Sequence, residues 1–87
     1  LKGDHQRALG YFDEALALQE QEPALNDQTV YTMNNKGVLL MMNDELEPAL
    51  TAFQRALKQA EQLKQLDKMA DLLSNMAVIK IKSGDYD

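Results

Sequence analysis

Five residues recur in the same order 41 positions apart, as Ala8-Leu9-x-x-Phe12-x-x-Ala15-Leu16 and Ala49-Leu50-x-x-Phe53-x-x-Ala56-Leu57. All are small or apolar, and their spacing places them along one stripe of an α-helix. A chain that repeats such a stripe is built from a repeated helical unit. One unit cannot bury its apolar faces alone, so units stack. Repeat arrays of this kind usually bind partners and rarely carry out chemistry.

The punctuation between stripes predicts four helices, over about 4–22, 27–42, 45–66 and 67–83. Gly3-Asp4 reads as a turn and a helix cap, with the Asp4 carboxylate accepting from a free N–H of the first turn. Pro23 to Asn26 reads as a connector. Asp44-x-x-Glu47 approximates a capping box, and Pro48 falls in the first turn of the third helix, where a missing N–H costs little. Asp67 is the expected cap of the fourth helix. Connectors of a few residues imply antiparallel neighbours. Nothing shows the period-2 alternation of a strand, so the expected class is all-α, and residues 1–87 read as one domain fragment.

The turns align as well: Gly3-Asp4, Asp44-Glu45 and Gly84-Asp85. Two frames, Asn35-Lys36-Gly37-Val38 and Asn75-Met76-Ala77-Val78, match and hold a small residue, Gly37 or Ala77, in the same place. With Ala8, Phe12, Ala15, with Ala49, Phe53, Ala56, and with the turn Gly84-Asp85-Tyr86, the chain resembles the tetratricopeptide repeats over nearly its whole length. The spacing of 40–41 exceeds the common period of 34 residues. It is similar to the long-helix repeats of kinesin light chains, of polarity adaptors rich in Leu-Gly-Asn motifs, and of bacterial sensor and regulator proteins. The resemblance implies a right-handed αα superhelix with lengthened second helices. It would be truncated to one second-type helix, one complete repeat and one first-type helix. Lys36 stands where the family more often has an apolar residue, and its stem can pack while the ammonium reaches water.

The resemblance also implies where function sits. The first helix of each unit lines the concave face, which assigns Tyr31, Asn34, Asn35, Val38, Met41 and Met42 to a groove in one unit. It assigns Asp71, Ser74, Asn75, Val78, Ile81 and Lys82 in the next. Asn35 and Asn75 occupy equivalent places, and a carboxamide can bracket the backbone of an extended peptide with its donor and acceptor faces. Bonding between neighbouring helices is the plainer use of both. The carboxylate clamp of chaperone-binding members is not expected, because Asp71 would repel a carboxylate. Met33 and Met76 read as core by helical phase, whereas Met41 and Met42 are candidates for an adaptable apolar patch.

The remaining chemistry is thin. A net charge of -5 argues against a nucleic-acid surface and against docking on an anionic membrane. No apolar run approaches the ~20 residues of a membrane-spanning helix. Cysteine is absent and His5 is the one histidine, so neither disulfides nor a metal centre are expected. Ser74 and Ser83 have no base nearby, and Asp13, Glu14, Glu20, Glu22, Asp44, Glu45 and Glu47 read as solvated faces and caps. The expectation is therefore a non-enzymatic module, without cofactor, that takes a peptide or partner helix in its groove. A cytoplasmic setting is favoured over a periplasmic one. Two alternatives stand beside it. One is self-assembly, a homo-oligomer of the fragment formed through its exposed terminal helices. The other is a regulatory array within a larger bacterial signalling protein.

Overall fold

The computed structural model describes residues 2–21 and 26–84. Four helices follow one another: α1 (Lys2–Gln21), α2 (Asn26–Met42), α3 (Leu46–Leu63) and α4 (Leu66–Lys82). Consecutive helices pack on each other, α2 also lies beside α4, and α1 and α3 do not pack together. Three contacts tie α2 and the turn after it to α4 in the same chain order: Tyr31 with Lys68, Asn34 with Asn75, and Asp44 with Lys82. The two helices therefore run parallel, as the first helices of successive hairpins must.

Small residues decide how closely the α2–α3 hairpin closes. Phe53 is fully buried, and a Cβ added to Gly37 would lie 2.5 Å from its ring. The ring thus rests directly on the α2 backbone. Ala49, Ala56 and Ala60 on α3 are likewise fully buried, with Val30, Met33 and Leu40 opposite on α2. Burial of an aromatic ring of this size stabilises by about 2–3 kcal/mol. Leu72 and Ile79 extend the same core to α4, and Leu9 and Leu16 extend it to α1.

The helix ends follow a second regularity. Asp44, Lys64 and Gly84 all take the left-handed backbone, with φ of 60, 58 and 78°. After α2, the Glu45 amide donates to Leu40 O (2.9 Å) and the Asp44 amide to Met41 O (3.0 Å). After α3, the Gln65 amide donates to Ala60 O (2.9 Å) and the Lys64 amide to Glu61 O (3.2 Å). Each set is a Schellman closure, which satisfies carbonyls that the helix leaves orphaned and reverses the chain within a few residues.

These closures move several expected boundaries. Gly3 and Asp4 are helical instead of forming a turn and cap, since α1 already begins at Lys2; Asp4 still benefits from its place in the first turn. α3 stops at Leu63 instead of Leu66, because Lys64 turns left-handed. With α2 and α3 of nearly equal length (17 and 18 residues), the extra length of the unit is not confined to the second helix. The capping box does not form. Glu45 occupies the N-cap without a side-chain cap bond, and its carboxylate instead accepts from His5 Nε2 (2.9 Å) and Asn43 Nδ2 (3.2 Å). Gln65, not Asp67, is the N-cap of α4, and Asp67 sits in the first turn. The connector from Pro23 and the Asp85-Tyr86 part of the last turn lie outside the described residues.

Candidate functional site

The groove side of α2 and α4 is organised by a stripe at seven-residue spacing on α4, formed by Lys68, Asn75 and Lys82. Seven residues are nearly two helical turns, so these side chains stand almost in line along the helix. Each meets α2 or the turn that follows it. Lys68 Nζ lies 5.4 Å from the centroid of the Tyr31 ring, a cation–π contact. Asn75 Nδ2 donates to Asn34 Oδ1 at 3.0 Å in a half-buried setting. Lys82 Nζ lies 3.8 Å from Asp44 Oδ1 at the exposed end of the groove.

The residues assigned to the groove therefore differ in what they can offer a ligand. Tyr31, Met42 and Val78 are exposed, at 57%, 76% and 41%. Asp71, Ser74 and Lys82 are exposed as well. Val38 and Met41 are half-buried against the core, so they form the floor. Asn34 and Asn35 are both half-buried, but it is Asn34 whose amide meets Asn75. Ile81 falls in helical phase with Leu66, Leu73 and Ala77, on a face of α4 that leads away from the groove. Met33 is buried and Met76 packs against the core, in line with their helical phase.

Two features were not read from the sequence. Lys68 stands over the Tyr31 ring, a placement that single-helix periodicity cannot reveal because its partner lies on another helix. The second is a cleft of about 390 Å³ on the opposite side, between α1 and α3. Leu9, Leu16, Met33 and Leu40 give it an apolar floor, and Lys36 and Arg55 a basic rim. There Lys36 Nζ meets Asp13 Oδ1 at 2.6 Å, so its ammonium is paired as well as wetted. Among the described residues, no group of three His, Asp or Glu side chains is placed to hold a metal ion. No described helix is long and apolar enough to cross a membrane.

The family model described as Tetratricopeptide repeat matches residues 1–62, which takes in α1, α2 and nearly all of α3. The chain belongs to the tetratricopeptide-repeat family. No curated protein and no solved structure matches it. Four helices, with no strand among the described residues, agree with an array of tetratricopeptide-type hairpins. Repeats of this family are typically non-catalytic modules that mediate protein–protein binding.

Proposed function

We propose that this tetratricopeptide array binds a peptide or a partner helix along the groove between α2 and α4. The observation that carries the reading is the alignment of polar and apolar groups there. Asn35 and the Asn34–Asn75 pair lie midway, Tyr31 with Lys68 stands at one end, and Met42 with Val78 supplies exposed apolar surface. An extended backbone needs donors and acceptors spaced along its path, and apolar side chains need an adaptable surface. In this reading the array contributes no catalytic step and needs no cofactor.

The test is a selection of peptides from a displayed random library, followed by titration against the chain and its Asn35→Ala/Asn75→Ala variant. A loss of about tenfold or more in affinity, with helicity unchanged, is expected from removing hydrogen-bonding groups at a desolvated contact. Equal affinity for the two proteins would move the binding surface away from the groove.

A further inference from the structure

The cleft between α1 and α3 is walled by the chain itself. α1 and α3 do not pack together, and α2 forms the bottom between them. Its walls therefore do not depend on what adjoins the outer sides of α1 or α4. The cleft has two compartments. The first, of about 390 Å³, is apolar, with Leu9 and Leu16 on one wall and Ala52 on the other. The second, of about 360 Å³, continues it along α3, where Arg55, Lys58, Gln59 and Gln62 line it. Met33 and Arg55 belong to both, so the two hollows join.

The two compartments suit different chemistry. Lys36, Arg55 and Lys58 line the cleft, and among the described residues Asp13 is the one carboxylate on it. The whole chain carries a net charge of -5, so this excess of cations is local. Lys36 is held by Asp13, but that carboxylate is 58% exposed, and exposed pairs contribute little. An entering anion can take its place. The Arg55 guanidinium has five N–H donors, and Gln59 and Gln62 add amide donors beside it. The apolar compartment offers few polar partners. Thr51 Oγ1 lines it and already donates to Glu47 O at 3.2 Å. A peptide backbone laid there would leave amides and carbonyls unpaired, whereas an alkyl chain has none to satisfy.

We propose that this cleft binds a single-chain amphiphile with an anionic head, of the medium-chain carboxylate class. The tail lies on Leu9, Leu16, Met33 and Leu40, and the head meets Arg55 and Lys58. From Pro48 to Arg55 the apolar compartment runs roughly 10 Å along α3. That is room for an extended tail of about eight carbons. A carboxylate fits a guanidinium through two parallel hydrogen bonds, which fixes the head at the point where the compartments join. Lys36, apolar more often in the family, then serves as a second cation on the rim. The site is separate from the groove between α2 and α4 and stands whether or not a peptide binds there.

Titration of the chain with sodium decanoate below its micelle concentration tests the proposal, read by calorimetry and by the resonances of isotope-labelled methionine methyls. The Met33 methyl should shift, because Met33 lines both compartments, and that of Met42, exposed outside the cleft, should not. Affinity should rise about threefold per methylene from hexanoate to decanoate. Decyltrimethylammonium, which the net charge of the chain favours, should bind about tenfold more weakly than decanoate. Arg55→Gln should weaken decanoate about fivefold and leave decanol unchanged. Thr51→Trp fills the apolar compartment from an exposed position and should remove binding of both; if it lowers helicity, the exposed Arg55→Gln decides. A Met33 methyl that does not respond to decanoate, a Met42 methyl that follows it equally, or a cationic amphiphile that binds as tightly would each overturn the proposal. So would a glutamate-flanked leucine peptide that shifts Met33 where decanoate does not, which would give the cleft to a protein partner.

Discussion

The α2–α3 hairpin and the outer faces of α1 and α4 use the same residue pattern in opposite surroundings. Gly37 and Ala77 stand in matching frames, yet Gly37 is buried against Phe53 and Ala77 is exposed. Phe53 and Phe12 stand in matching stripes, yet Phe53 is fully buried and Phe12 half-buried. The pattern decides what kind of helix forms and which face could be covered. Whether that face is covered depends on having a neighbour. In a repeat array the energy of a residue therefore belongs to the junction it occupies, as nearest-neighbour models of such proteins hold.

The sharpest way to break this contrast is to truncate the two phenylalanines. Phe53→Ala should cost about 3–5 kcal/mol, as a fully buried ring leaves a cavity that the backbone contact with Gly37 cannot refill. Phe12→Ala should cost only about 1 kcal/mol, because that ring is only half-buried. Urea unfolding of both variants measures the gap, and equal losses would mean that α1 is as well covered as α3.

A smaller contrast lies at the small residues. Gly37→Ala should destabilise by about 1–2 kcal/mol, because the new methyl meets the Phe53 ring and the overpacking outweighs the gain in helix propensity. Ala77→Gly should also destabilise the dilute chain, by about 1 kcal/mol, for the opposite reason: nothing crowds the methyl and only propensity is lost. Each site then prefers its own residue, and unfolding curves for the pair would show it. A stabilising Gly37→Ala would mean that α3 can retreat at little cost.

The helix ends offer the smallest effects. Lys64→Gly should raise stability by about 1 kcal/mol, because a side chain in the left-handed region is strained and glycine is not. Asp44→Gly should gain less, since Asp tolerates that region better and its carboxylate lies near Lys82. Midpoints of thermal unfolding rank the two.

Much of this was legible because helical spacing is a local property. The stripe from Ala8 to Leu16 and its copy from Ala49 to Leu57 identified the helices, and the Gly37 and Ala77 frames identified which kind each was. The boundaries were less legible. Asp44 and Lys64 turn left-handed without being glycine, and that choice comes from the Schellman bonds that close each hairpin, not from the preference of either residue. The contacts between α2 and α4 were legible only as helical faces. Helical phase puts Tyr31 and Asn34 on one side of α2, but the pairing of Asn34 with Asn75 and of Tyr31 with Lys68 could not be read from it.

The sequence by itself determined the repeat, the helical class and the identity of the apolar faces, since each follows from residue type at fixed short spacing. Only the tertiary structure decided which of those faces meet. Contacts between residues some forty positions apart depend on the angle and closeness with which whole helices pack. That geometry set Phe53 on Gly37 and joined Asn75 to Asn34.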